Sequence, residues 1–217
     1  ESENHAHPVT EIISAIDGTF TLTIEAKAYK NLVFAIIDAN MEHKVSTQNT
    51  AIEVLMLENN NTRFSKFLGD AQITFSQGFF VASEFVERGV FFDKIKSFAK
   101  NHNLKEPEDQ RVGECLRIME KGEITYATLV QELSSKVFLS KSRLSHLFTA
   151  HMGVSLKKYL VWNNLKRAID QYLSDQSNLT EVSLQNGFFD QAHLSRSFKK
   201  VLGVRPSSAY NSSTVQF

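Results

Sequence analysis

The chain has 217 residues, 42% hydrophobic and 22% charged, enough for one large domain or two modest ones with real cores. No apolar run approaches the roughly 20 residues of a membrane span, no secretory signal opens the sequence, and the single Cys115 excludes an intramolecular disulfide framework, so a reducing cytoplasm is the expected setting. The formal net charge is zero but unevenly placed: residues 1–111 hold 11 Lys+Arg against 16 Asp+Glu, a net of −5, and residues 112–217 hold 13 against 8, a net of +5. That asymmetry fits a protein in which only one domain meets phosphates.

Near the N-terminus, His5-Ala6-His7 is followed by Glu11 and then by Gly18. Two histidines two apart on a strand face the same side. The order resembles the first motif of the cupin fold, in which two His and one Glu from adjacent strands point into a small barrel. Asp38-Ala39-Asn40-Met41-Glu42-His43 stands where the second cupin motif supplies a third His, without that motif's Pro and Gly. The resemblance implies a metal site of His5, His7, Glu11 and His43, suited to Zn²⁺, Fe²⁺, Mn²⁺ or Ni²⁺ with positions left open to a ligand. The competing reading makes the same four residues polar lining without metal.

Ile12, Ile13, Ala15 and Ile16 read as a strand, and Asp17-Gly18 as a hairpin turn. Its partner is the half-buried strand in which Phe20, Leu22 and Ile24 alternate with threonines. Residues 32–37 and 52–57 are further apolar strands, Asn59-Asn60-Asn61-Thr62 a surface loop, and residues 72–75 a last strand. From 82 to 100 the pattern turns helical, with Phe85, Val86, Val90, Phe91, Ile95 and Phe98 on one side, to pack on the sheet or on a second subunit. Residues 101–109, polar and containing Pro107, read as a linker.

Beyond residue 112 the chain reads as all helical, and a pattern repeats fifty positions apart. Leu144, Ser145, Phe148, Gly153 and Val154 recur as Leu194, Ser195, Phe198, Gly203 and Val204. Each copy opens on an N-cap residue, Ser140 or Asp190, sets Leu and Phe four apart on one helix face, and ends on Gly. Leu129, Val130 and Leu133 make the support helix of the first copy, and Leu179, Val182 and Leu184 that of the second, with Asn186-Gly187-Phe188 as the tight turn. A connecting helix over about 155–174 carries Leu156, Tyr159, Leu160, Ala168, Ile169, Tyr172 and Leu173. Its length of about 30 Å is close to the ~34 Å between successive major-groove faces.

The segment resembles the DNA-binding domain of the AraC/XylS family of bacterial transcription regulators. The resemblance rests on Leu144-Ser145-His146-Leu147-Phe148, Gly153, Tyr159-Leu160, Ala168, Leu173, Gly187-Phe188, Asp190-Gln191, Leu194 through Lys200, Gly203-Val204, Pro206-Ser207 and Tyr210. Two departures stand out: Asn163-Asn164 replaces the family's usual Arg in the long helix, and Leu133-Ser134-Ser135 lacks its usual small-residue pattern. Carried over by position, Lys141, Ser142, Arg143 and His146 face bases in one groove, and Gln191, Ala192, His193 and Arg196 in the next. Lys157, Lys158, Lys199, Lys200 and Arg205 fall to phosphates.

The expected protein is α+β with two domains. A cupin-like sensor and dimerisation barrel with its C-terminal helix spans 1–103, a linker 104–111, and an all-α domain with two helix-turn-helix units joined by a long helix 112–217. The implied function is sequence-specific transcription regulation in a bacterial cytoplasm, on double-stranded DNA, as a homodimer responding to a small-molecule effector or a metal, with RNA polymerase a partner if it activates and no membrane contact. No phosphate loop or nucleophile motif points to catalysis. The competing function is a metal-dependent cupin enzyme, a dioxygenase or isomerase, with a DNA-binding tail.

Overall fold

A computed structural model describes residues 2–48, 50–175 and 178–206. The chain divides into two compact units, one of the residues up to Glu106 together with 202–206 among the described C-terminal residues, and one over Pro107–Val201.

The first unit holds two antiparallel sheets. The strands are β1 (Thr10–Ala15), β2 (Phe20–Ile24), β3 (Lys27–Leu32), β4 (Phe34–Ile37), β5 (His43–Thr47), β6 (Ile52–Leu57) and, after helix α1 (Arg63–Asp70), β7 (Phe79–Ala82). One sheet runs β6-β1-β4-β7 and the other β3-β2-β5. Strand alternation divides the apolar residues of β1 and β4 between two cores. Ile13, Ala35 and Ile37 face Phe20, Leu22 and Val45 of the smaller sheet. Ile12, Phe34 and Ile36 face α1 and helix α2 (Arg88–Asn101), through Phe64, Leu68, Phe92 and Ile95.

Several elements differ from the expectation. Asp17-Gly18 does not close a hairpin: β1 pairs with β4 on one edge and β6 on the other, so neither edge is left for β2. The turn is instead fastened to the start of β6, where Asp17 Oδ1 accepts from the Ala51 N–H at 2.8 Å. Residues 72–75 are not a strand. Gln72 takes φ +59°, the Ile73 N–H donates to the Leu68 carbonyl and that of Gln72 to Gly69, which closes α1 in a Schellman motif with Ile73 buried behind it. Strand β7 lies further on, paired with β4. Helix α2 starts at Arg88 rather than 82, and Val86 and Val90 are exposed rather than packed, because Phe92 and Ile95 take the buried face.

The second unit is helical: α3 (Gln110–Glu120), α4 (Leu129–Lys136), α5 (Lys141–Met152), α6 (Leu156–Asp175), α7 (Leu179–Gln185) and α8 (Gln191–Leu202). Leu129, Leu133, Leu144, Phe148, Tyr159 and Leu160 are all buried, as their spacing predicts, and Trp162 and Leu165 of α6 join them. Leu173 and Leu184, read as core, are exposed; on α7 the buried face belongs to Val182 and Ser183, whose small side chain donates to the Leu179 carbonyl. Asn163, one of the two departures from the family pattern, is buried and donates from Nδ2 to the Met119 carbonyl at 2.9 Å, tying α6 to α3.

Candidate nucleic-acid interface and a buried histidine cluster

The two repeated helices are built alike. Ser140 Oγ accepts from the Arg143 N–H at 3.3 Å to start α5, and Asp190 Oδ1 accepts from the His193 N–H at 2.5 Å to start α8. Gly153 and Gly203 follow in the left-handed conformation, φ +67° and +70°. Leu144 and Phe148 bury one face of α5, Leu194 and Phe198 that of α8. The opposite faces match nearly position by position: Lys141, Ser142, Arg143 and His146 are exposed on α5, and Gln191, Ala192, Arg196 and Lys200 on α8, with His193 and Lys199 half-buried. Lys157, Lys158 and Arg205 are also exposed, and Lys157 Nζ lies 4.6 Å above the Tyr126 ring. Ser207 and Tyr210 lie outside the described residues.

Two of these side chains have partners that spacing alone did not reveal. Gln191 Oε1 accepts from Thr180 Oγ1 at 3.2 Å, which braces it against α7. His193 Nδ1 accepts from the Phe189 N–H at 3.2 Å while its ring meets Phe188 edge-on at 5.4 Å, so this histidine completes the α8 cap. Phe138 and Phe189, each just ahead of a repeated helix, are 92% and 86% exposed. Sequence reasoning passed over them because phenylalanine in an apolar stretch reads as core.

In the first unit, the fold brings His5, His7, Glu11 and His43 together: one ligand atom from each lies within 4.8 Å of the others. All four are buried, with 5% exposure or less. Glu11 sits on β1 and His43 opens β5. His5 pairs with His43 through two 2.9 Å backbone hydrogen bonds, and the His7 carbonyl accepts from the Asn40 N–H at 2.7 Å. Each histidine has Nδ1 at 2.9 Å from a backbone carbonyl: Glu3 for His5, Val9 for His7 and Met41 for His43. A carbonyl only accepts, so each Nδ1 carries the proton and each Nε2 of a neutral ring presents a lone pair. The Nε2 atoms of His43 and His7 lie 2.8 and 3.5 Å from Glu11 Oε2.

The electrostatics follow. Burial opposes ionisation of Glu11, but His43 and His7 outweigh it and hold the carboxyl well below the usual range. Burial also opposes the charged form of His43, yet contact with Glu11 raises its pKa. For His5, burial and the neighbouring His43 lower the pKa to about 4, so its ring is neutral at pH 7. Next to the cluster, Ile24, Glu25, Lys27, Tyr29, Met41, Gln77 and Phe79 line a cavity of about 440 Å³, and the Met41 carbonyl is the one that holds His43.

Comparison with known proteins places the second unit. A helix-turn-helix domain model matches residues 133–211. The arabinose operon regulatory protein of Escherichia coli (strain K12) is 31% identical over 109 residues, which is 50% of this chain and 37% of that protein. The Msm operon regulatory protein of Streptococcus mutans is 34% identical over 80 residues, 36% of this chain and 28% of that protein. The chain therefore matches well under half the length of these curated relatives. Across both units, the fold is similar to ToxT K231A from Vibrio cholerae, with TM-score 0.59, 14% identity, and 98% of this chain and 92% of that one covered. Wild-type ToxT bound to an unsaturated fatty acid gives 0.57 at 13% identity, over 100% of this chain and 92% of that one. Among the described residues no helix is long and apolar enough to cross a membrane. With its two capped helices repeated in register, the second unit carries a helix-turn-helix domain similar to those of these operon regulatory proteins.

Proposed function

We propose that the protein is a transcription regulator whose α5 and α8 read successive major-groove faces of double-stranded DNA. One observation carries this reading: two helices fifty residues apart share their caps, their buried Leu and Phe, and an exposed polar face. On those faces Arg143 and Arg196 match guanine O6 and N7, Gln191 adenine, and Ala192 a thymine methyl, while Lys199 and Lys200 serve phosphates. Lys141, Ser142, His146 and the part-buried His193 complete the two faces. The 440 Å³ cavity of the first unit has the size of a small-molecule site, and ToxT, with a similar fold, has been seen with a fatty acid bound. Effector capture in that cavity, coupled to DNA affinity in a homodimer, completes the regulator; RNA polymerase is the further partner of an activator.

The enzyme reading is weaker, because the curated relatives of the second unit are operon regulatory proteins.

The test is selection from random duplex DNA by the folded full chain. Recovery of a two-part site with half-sites about one helical turn apart supports the reading, and no enriched sequence overturns it. On the recovered site, Arg196→Ala and Arg143→Ala each weaken binding by about 1–3 kcal/mol and relax preference at one guanine, measured by fluorescence anisotropy.

A further inference from the structure

We propose that His5, His7, Glu11 and His43 bind one divalent transition-metal ion, Zn²⁺ by preference, which clamps the N-terminal segment to β1 and β5. The site stands on the geometry of the first unit and holds whether or not the second unit reads DNA.

Four observations converge. First, the buried Nε2 of His7, Nε2 of His43 and Oε2 of Glu11 have no hydrogen-bond partner among the described residues, although they approach one another at 2.8 and 3.5 Å. With every Nδ1 proton given to a carbonyl, these atoms are acceptors facing acceptors, an arrangement that repels unless a cation lies among them. A single shared proton satisfies one pair and leaves the remaining lone pairs unmet. A dication satisfies all of them at once.

Second, the Nδ1–H to carbonyl bonds at all three histidines are the support that metal-binding imidazoles commonly have, fixing the tautomer and aiming Nε2. Third, tetrahedral bonds of about 2.1 Å place ligand atoms ~3.4 Å apart, so a cluster within 4.8 Å closes on an ion with a shift of at most about 0.7 Å per ligand. Fourth, three imidazoles and one carboxylate supply four donors of the kinds that Zn²⁺ accepts, from residues that are all buried.

The ligands come from three parts of the chain: His5 and His7 from the segment ahead of β1, Glu11 from β1, and His43 from β5. That N-terminal segment has other ties as well: His5 and His43 exchange a backbone pair, the Ser2 N–H donates to the Val45 carbonyl, the Glu3 N–H to the Gly203 carbonyl and the Asn40 N–H to the His7 carbonyl, while Ser2 Oγ accepts from the Val45 N–H at 2.8 Å and Asn4 Nδ2 donates to the Glu42 carboxylate. Chain ends fray by default, and an ion shared with β1 and β5 adds a restraint to those bonds. Metal availability thereby sets how firmly the segment is held.

The experiment uses the full chain, stripped with chelator and confirmed folded by circular dichroism. Co²⁺ is titrated in while visible ligand-field absorption is read, and Zn²⁺ is then added in competition. We expect one equivalent of Co²⁺, a tetrahedral spectrum, displacement by Zn²⁺, and slowed amide exchange over residues 2–7 on loading. Glu11→Gln, which preserves shape, should weaken Zn²⁺ binding at least ~100-fold, since even supporting residues of such sites are worth 10–100-fold. His5→Asn, further from the carboxylate, gives a second variant if the first does not fold. A folded wild-type chain that takes up no Co²⁺ overturns the proposal, as does equal Zn²⁺ affinity in wild type and a folded variant. Stoichiometric uptake by a chain that selects no DNA upholds this site and counts against the regulator reading alone.

Discussion

Gly187 shows how much one position decides. It sits between α7 and α8 at φ +78°, and a Cβ there would stand 2.8 Å from Asn164 Nδ2. Gly187→Ala should therefore cost about 1–2 kcal/mol from the left-handed backbone alone, read as a lower urea midpoint with unchanged slope. The turn was legible in the sequence because Asn-Gly in a polar gap has a known backbone preference; the approach of Asn164 was not, since it comes from α6. Cys115 makes the converse point. Burial, with help from Glu114 and Asp109, pushes its thiol up to about 12, so it should stay unreactive toward a disulfide reagent at pH 8 until the chain is unfolded. The buried cluster was readable as a set of residue types at strand spacing. The three carbonyls that orient the rings were not, because backbone acceptors leave no mark on a sequence.

At the scale of elements, legibility followed the strength of the apolar pattern. Strand β2 alternates, β6 is apolar at every position but Glu53, and the faces of α4, α5 and α8 repeat with helical period, so each was legible as an element. Strand β3 escaped because it is an edge strand, exposed along nearly its whole length, whose residues are placed by pairing with β2 rather than by burial. Helix α1 escaped because only Phe64 and Leu68 are buried in its eight residues. The strand expected at 72–75 was the hydrophobic end of that helix's cap. Helix starts offer a test with a pH sign. Asp109 caps α3, accepting from the Arg111 N–H at 2.9 Å and pairing with its guanidinium at 2.7 Å. The Arg111 side chain, aided by its backbone N–H, lowers the Asp109 pKa from 3.8 to about 2. A depressed carboxylate stabilises the fold fully above the unfolded value and loses that contribution as pH falls toward the folded one. Asp109→Ala should cost about 1 kcal/mol at neutral pH and flatten the stability profile between pH 4 and 2, measured by urea denaturation across that window.

For the molecule as a whole, the zero net charge conceals the property that matters most for DNA. The chain places a surplus of five acidic charges before residue 112 and a surplus of five basic ones after it. Two kinds of basic residue share the second half, and they should separate by experiment. Arg196 is exposed on the same stretch of α8 as Gln191 and Ala192, whereas Lys200 is exposed in its last turn, beyond the positions proposed to read bases. A base contact carries sequence choice, while a phosphate contact carries affinity through released counterions. On the selected operator, Lys200→Ala should lower the slope of log affinity against log salt by about 0.9, and should weaken binding to scrambled DNA as much as to the operator. Arg196→Ala should reduce operator affinity far more than scrambled-site affinity. Anisotropy titrations on both duplexes at four salt concentrations give both quantities. Equal losses on the two duplexes for Arg196→Ala would move that residue to the phosphates, and an unchanged slope for Lys200→Ala would leave it a solvated lysine with no part in the complex. The acidic half gives the contrast: exposed lysines there, such as Lys94 and Lys100, should change neither slope nor affinity when replaced by alanine.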